Sequence, residues 1–466
     1  MLGIVINRNS QLQLWRQVYQ ALKENILNGQ LEADEALPST RELAKELCVS
    51  RNTVSEAYDM LISEGFAVSR QGAPTRVAEG LLIGRAAVRG EEGEKSSPSI
   101  EIVADFHTGR PDLHEFPRYV WQQLLHRETE ELPLAEFGYS SPQGDLRLRK
   151  EISAWLYRSR GLSVFSDDIF ITAGATHALH LIADLLCTDG RGIFMEDPCH
   201  IGMYRTFENK GCRIIPVPVD KLGMRTDCLK AESNACMVYV TPSHQFPLGG
   251  ILPASRRAEI IRFVRENGIY AVEDDYDSEF RYCGEPVAPL ISMDAESVIY
   301  VGTFSKTLFP ALRIGYVILP RELQERWIAI RTYADVQNPP FEQAALGELL
   351  RTRRFDRHVQ KMRRLYALRR QTLLDALKLE FGDGFEVFGD AAGLHVAVNF
   401  PKFTFDSGFK EKCLKNGIFV TPVENHCIRK GEHQSMLLLG YGHLRAEEIR
   451  SAIKLLSSFM KETSGE

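Results

Sequence analysis

Residues 301–316 read VGTFSKTLFPALRIGY, and the way this stretch folds decides the architecture of most of the chain. The apolar run Val298–Val301 stops at Gly302, which sets Thr303, Phe304, Ser305 and Lys306 at the carboxyl end of a strand. Arg313, Ile314 and Gly315 then lead into a further apolar run, Tyr316–Leu319. Working upstream, similar runs occur at Tyr270–Val272, Met237–Val240, Gly192–Met195 and Ile169–Thr172, each separated from the next by a helix-like stretch. That alternation specifies an α/β body with a mostly parallel sheet wrapped by helices and a ligand site at the carboxyl ends of the strands.

The residues at those strand ends carry chemistry. A lysine held among hydroxyls can form a Schiff base with an aldehyde cofactor, and Thr303, Ser305 and Arg313 can hold a phosphate dianion. About thirty residues upstream, Tyr270–Val272 runs into Glu273, Asp274, Asp275, Tyr276 and Asp277. Acids at a strand end commonly form a solvated turn or a cation site. One buried carboxylate there would instead keep a pyridine nitrogen protonated, making pyridoxal phosphate an electron sink, with a tyrosine two residues on meeting the ring 3-oxygen. Gly174, Ala175 and Thr176 lie between a strand and the helix from His177, where small residues leave backbone N–H groups open to phosphate. Glu196-Asp197-Pro198-Cys199-His200 is another strand exit, able to lay His200 flat against a ring.

The amino-terminal 76 or so residues have a different pattern. Leu14, Val18, Leu22 and Ile26 recur at four-residue spacing, the stripe of an amphipathic helix. Ser39 with Glu42 forms a capping box before Leu43 and Leu47, and Cys48-Val49-Ser50 makes a short turn before a helix with Val54, Ala57, Tyr58, Leu61 and Ile62 facing inward. This is a helix-turn-helix, whose last helix would present Ser50, Arg51, Asn52 and Thr53 to a major groove. Gly65–Val68 and Thr75–Val77 flank Arg70-Gln71-Gly72 as a hairpin wing able to lay Arg70 or Arg76 on the DNA backbone or minor groove. Between this unit and the body, residues 79–104 are rich in Gly, Glu, Ser and Arg without periodicity and read as a linker.

The string LPSTRELAKELCVSRNTVSEAYDMLISEGF resembles the winged helix-turn-helix of GntR-type regulators, which implies DNA contacts from Arg41, Ser50, Arg51, Asn52, Thr53 and Arg70. Residues 105–466 resemble the fold-type I, aspartate-aminotransferase-like pyridoxal-phosphate enzymes, a large mostly parallel α/β sheet with a small carboxyl-terminal α+β part. The resemblance includes Tyr139-Ser140-Ser141-Pro142-Gln143-Gly144 and implies Lys306 as the Schiff-base lysine, Asp274 at the pyridine nitrogen and Tyr276 at the 3-oxygen. It further implies Gly174, Ala175, Thr176, Thr303, Ser305 and Arg313 around the phosphate, joined by Tyr139 from a second subunit of a homodimer. A GntR-type head on such a body, with TPSHQFPLGG, VEDDYDSEFRY and VGTFSKTLFPALRIGY, is similar to the MocR/GabR family of transcription regulators.

Two departures from the aminotransferase pattern bear on function. Phe246 stands where an asparagine is usual, and a phenyl ring donates nothing to the 3-oxygen. The stretch His433–Tyr441 carries no carboxylate-binding arginine, and the positions matching the arginines of the GABA-responsive regulator are Gly202 and Gln434. Neither glycine nor glutamine replaces a bidentate arginine, so no response to GABA is expected. The effector is then pyridoxal phosphate itself or an amine or amino acid held by other groups; Arg429, nearby, reads as a solvated loop arginine.

Composition bounds these readings. The 466 residues carry 56 Lys+Arg against 62 Asp+Glu, a net charge of −6, so nothing in the whole-chain charge calls for a polyanion partner. The head itself, residues 1–78, has eight basic and nine acidic side chains, which leaves DNA recognition to a few placed arginines. Scattered cysteines without a Cys-x-x-Cys pair argue against a disulfide frame or a metal site. With no run of about 18 uncharged apolar residues and no signal-like start, a cytoplasmic protein is expected. A DNA-binding regulator that uses its cofactor site as a sensor is the leading reading, and an active aminotransferase with a DNA-binding appendage is the alternative.

Overall fold

The computed structural model describes residues 3–80, 101–187, 190–232, 234–284, 287–406 and 408–464, and the chain divides into two units, Met1–Ser99 and Ile100–Glu466. In the first, helices α1 (Leu14–Leu27), α2 (Thr40–Glu46) and α3 (Arg51–Ser63) share one core. Val18, Leu22 and Ile26 are buried with Val54, Ala57, Tyr58 and Leu61. The capping box closes: Ser39 Oγ accepts the Glu42 N–H at 3.2 Å, and the Glu42 carboxylate accepts the Ser39 N–H at 3.0 Å. Cys48, at φ +51°, turns the chain between α2 and α3. Two short strands, β1 (Ala67–Val68) and β2 (Arg76–Val77), pair antiparallel as the wing.

Most of the expected linker, residues 81–100, lies outside the described residues. Its last residue is not linker, because the Val103 and Ala104 N–H groups both donate to the Gly417 carbonyl, at 2.8 and 3.0 Å. This docks β3 (Ala104–Asp105) parallel to Ile418–Phe419 and buries Ala104 completely.

The body continues through α4 (Arg118–Glu131) and α5 (Leu146–Arg160) into the alternation read from the sequence. In order come β4 (Ile169–Thr172), α6 (Ala175–Leu186), β5 (Gly192–Asp197), α7 (Ile201–Asn209), β6 (Arg213–Asp220), β7 (Gly223–Met224) and β8 (Ala235–Val240). Then follow α8 (Ala254–Asn267), β9 (Tyr270–Asp275), β10 (Val298–Thr303) and β11 (Gly315–Ile318). One eight-stranded sheet results, in the order β4-β11-β10-β9-β8-β5-β6-β7. Its central pairs are parallel, whereas β11 and β7 run antiparallel to their neighbours. Every residue of β4, β8, β10 and β11 is buried, which is why these strands read as unbroken apolar runs rather than as alternation.

Helices α9 (Arg321–Ala334), α10 (Pro340–Arg351) and the 28-residue α11 (Arg354–Phe381) lead to a smaller part. It holds β12 (Glu386–Phe388), β13 (His395–Asn399), α12 (Phe409–Lys415), β14 (Ile418–Phe419), β15 (Thr421–Pro422), β16 (Met436–Gly440) and α13 (Ala446–Ser464). Its sheet, in the order β12-β13-β16-β15, is antiparallel. No helix of the described residues is long and apolar enough to cross a membrane.

Candidate functional site

Lys306 follows the carboxyl end of β10, and its Nζ donates to the Gly109 carbonyl at 2.8 Å. Together with Ala175, Thr176, His200, Asp274, Tyr276, Thr303, Ser305 and Arg313 it lines one cavity of about 220 Å³. Residues far apart in the chain meet there because the carboxyl ends of β4, β5, β9 and β10 converge.

Strand register explains which acid of the run from Glu273 to Asp277 reaches the cavity. Tyr239 on β8 pairs with Val272 on β9, so Asp274, two residues further, projects from the same face as Val272. The Tyr239 hydroxyl donates to Asp274 Oδ2 at 2.6 Å, while Asp274 Oδ1 is buried without a hydrogen-bond partner. Asp275 points to the other face, accepting the Tyr300 hydroxyl at 2.6 Å and lying 3.0 Å from the Arg160 guanidinium. Glu273 accepts the backbone N–H groups of Leu290 and Ile291 at 2.8 and 3.0 Å, and Asp277 sits 3.1 Å from His244 Nδ1. The run is therefore no solvated turn, since each acid is buried and committed.

Burial raises the Asp274 carboxyl to about 6, against the opposing pull of the Tyr239 hydroxyl and Lys306. Burial also depresses Lys306, with Asp277 and Asp274 restoring part of its basicity. A lysine so placed has more neutral amine available for attack on a carbonyl than a solvated one has. Tyr276 also borders the cavity, its hydroxyl donating to the His244 carbonyl at 2.9 Å and lying 3.0 Å from His244 Nδ1.

The phosphate cradle is built at the start of α6. Arg313, at φ +49°, donates through Nη2 to the Ala173 carbonyl at 2.6 Å and lies across Gly174. Gly174 has φ +87°, and a β-carbon there would stand 2.9 Å from Arg313 Nη2, so glycine is what lets the guanidinium lie over the helix start. Gly174 thus shapes the cradle without lining the cavity. The first-turn N–H groups of α6 have no partner within the helix, and the macrodipole favours an anion there. Thr303 Oγ1 accepts the Ser305 N–H at 3.2 Å and donates to Ser305 Oγ at 3.0 Å, which fixes both hydroxyls at the strand end.

These residues fit pyridoxal phosphate. The bare, buried Asp274 Oδ1 suits a pyridinium N–H, Lys306 suits the aldehyde, and the Arg313 cradle suits the phosphate. Tyr139 lies away from this cavity at 88% exposure, with Ser140 beside it held by Gln337. Arg429 does not line the cavity either; it is exposed, donating to the Pro216 carbonyl at 3.1 Å, and Gln434 is exposed as well.

The structure adds residues that spacing did not reveal, namely Thr108, Gly109, Met203, Tyr239, Thr241 and His395. Phe246, 6% exposed, also lines the cavity, 5.0 Å from the His200 ring and 5.1 Å from the His395 and His426 rings. His426 is held to about 4 by burial and by His200, with further opposition to protonation from Lys410 and Lys430. Its unfolded value of 6.5 is higher, so the unfolded chain binds the proton first as pH falls. Relative to a His426→Gln variant, wild-type stability is expected to drop on the order of 3 kcal/mol as pH is lowered from 6.5 to 4. Parallel denaturant titrations across that window check it; a constant difference would refute it.

In the head, Arg41, Arg51, Asn52 and Arg70 are exposed, and Thr53 is half-buried. Ser50 caps α3, its Oγ accepting the Thr53 N–H at 3.1 Å and meeting Thr53 Oγ1 at 2.8 Å, so its first task is to fix the helix start. Arg76 is tied to Asp34, donating to that residue's carbonyl at 2.5 Å. Of the two wing arginines considered, Arg70 at the hairpin is therefore the one left for DNA.

Comparison with known proteins places both units. Residues 14–77 match the gntR family of bacterial regulatory proteins, and residues 114–453 match aminotransferase class I and II. The α-aminoadipate aminotransferase LysN of Thermus thermophilus, solved with N-(5'-phosphopyridoxyl)-L-leucine, superposes at a TM-score of 0.71 with 26% identity, covering 78% of this chain and 93% of its own. The fold and site are thus those of an aminotransferase-like, pyridoxal-phosphate-binding body carrying a winged helix-turn-helix. The probable rhizopine catabolism regulatory protein MocR of Rhizobium meliloti is 31% identical over 99% of this chain and 97% of its own. The pyridoxine biosynthesis regulator PdxR of Corynebacterium glutamicum is 32% identical over 81% of each. The chain belongs to the MocR/GabR family of pyridoxal-phosphate-dependent, DNA-binding transcription regulators.

Proposed function

We propose that this protein is a cytoplasmic homodimeric regulator that reads an operator with Arg41, Arg51, Asn52, Thr53 and Arg70 and senses pyridoxal phosphate or an amine through Lys306. The observation that carries the reading is the pairing of Lys306 with the bare, buried Asp274 Oδ1 in one cavity. When bound, pyridoxal phosphate supplies an aldehyde carbon for an amine nitrogen and an electron-withdrawing ring. Lys306 provides the resident amine, Asp274 holds a proton on the ring nitrogen, and Tyr276 faces the 3-oxygen. Thr303, Ser305, Arg313 and the start of α6 retain the phosphate, and Tyr139, exposed here, is available to reach the site of a second subunit. Phe246 offers no hydrogen bond to the cofactor, which favours sensing over turnover. Steady turnover with an amino donor and 2-oxoglutarate would favour the enzyme instead.

Because a single head touches few base pairs, paired half-sites are expected. Arg51→Ala should weaken operator binding by about 1–3 kcal/mol, since an arginine at the start of a recognition helix contacts base edges or phosphate. Fluorescence anisotropy with operator and scrambled duplexes reads this loss. Equal binding of the variant and the parent would remove Arg51 from the interface, and absence of specific binding in every cofactor state would remove the regulator reading.

A further inference from the structure

The cavity wall outside the phosphate cradle is made of rings that carry no fixed charge. His200, Phe246 and His395 line it, with His426 and His244 behind. His395 Nε2 lies 3.2 Å from the Pro247 carbonyl, and His426 Nδ1 lies 3.2 Å from the Cys199 carbonyl. A carbonyl only accepts, so each of these ring nitrogens carries the proton and the other nitrogen of each neutral ring is an acceptor. Burial holds both imidazoles below the ordinary histidine range, and the protein around His200, with the Lys306 charge, does the same there.

Among the described residues the cavity is lined by two cations, Lys306 and Arg313, and Arg313 belongs to the cradle. Gly202 cannot supply a third while His200 keeps its place, because a β-carbon there would stand 2.9 Å from His200 Cε1. A carboxylate brought against this wall would meet acceptor lone pairs with no guanidinium to answer it, and its desolvation would go uncompensated. A hydroxyl or amide N–H would find an acceptor.

We infer that the amine sensed at Lys306 carries an uncharged, hydrogen-bond-donating end, such as a hydroxyl, where the carboxylate of an amino acid would otherwise lie. This rests on the proposed sensing role of Lys306. The test uses the full-length protein loaded with pyridoxal phosphate and a matched pair of probes, 3-amino-1-propanol and β-alanine, which differ by hydroxymethyl against carboxylate. Titration followed by the visible absorption of the bound cofactor should show half-saturation at a concentration at least about tenfold lower for the amino alcohol. His200→Arg, which puts a guanidinium on the wall, should tighten the β-alanine response by about tenfold or more while changing the amino alcohol much less.

An equal or tighter response to β-alanine in the parent protein overturns the inference. So do equal changes for both probes in the variant, which would mean that His200 only fills space, and so does absence of response to either probe. Operator binding and cofactor retention, measured on the same preparation, tell these failures apart from failure of the regulator reading itself.

Discussion

Lys306→Ala is expected to abolish the visible absorption of bound pyridoxal phosphate and to uncouple DNA binding from the effector, while the protein stays folded. The side chain is half-buried and makes one hydrogen bond, to the Gly109 carbonyl, so its truncation removes little packing. What it removes is the amine nitrogen at the end of β10. The remaining contacts, the cradle at Arg313 and α6 and the carboxylate of Asp274, still attract the cofactor but hold it without a covalent bond. Dialysis followed by absorbance should therefore show loss of the cofactor from the variant under conditions where the parent retains it. Full ligand-dependent regulation by Lys306→Ala would instead make the cofactor a structural plug.

The largest expected effect on stability lies elsewhere, at Arg369 on α11. Its guanidinium donates to Asp112 Oδ2 and to the Gly442 carbonyl, each at 2.5 Å, and both side chains are buried. Burial would raise the Asp112 carboxyl, yet bonds from Arg369 and from the His114 N–H hold it below its ordinary value. The pair ties the segment before α4 to α11 and to the loop after β16, which makes it a clasp between distant parts of the body. Arg369→Leu leaves Asp112 buried and unpaired, and removal of one partner of such a pair costs about 3–5 kcal/mol. Chemical denaturation of the body should read that loss. The double variant Arg369→Leu with Asp112→Leu should recover much of it, because replacing both charges removes the unpaired carboxylate.

Much of this was legible in the sequence because local patterns coincide with global placement. The apolar runs are strands since they are buried on both faces, and Ser39 with Glu42 forms the cap that its spacing specifies. The run from Glu273 to Asp277 shows where legibility stops. Its sequence places five polar residues at a strand end, but the β8–β9 register decides that Asp274 faces the cavity and Asp275 faces Arg160. Tyr239 and Gly109 carry no local signal, because their contacts to Asp274 and Lys306 span 35 and 197 positions. His395 enters from the smaller sheet, and only the packing of that part on the larger one brings it to the cavity. The tether from Arg76 to Asp34, 42 positions apart, was hidden for the same reason and left Arg70 as the wing arginine.

The central claim is that one chain joins sequence-specific DNA binding to a cofactor site that controls it. It is tested most directly by footprinting the DNA upstream of the neighbouring genes with the cofactor-free and the pyridoxal-phosphate-loaded protein. The account predicts paired protected half-sites whose affinity or extent changes with the cofactor. Protection that is identical in both states, or no sequence-specific protection in either, would contradict it.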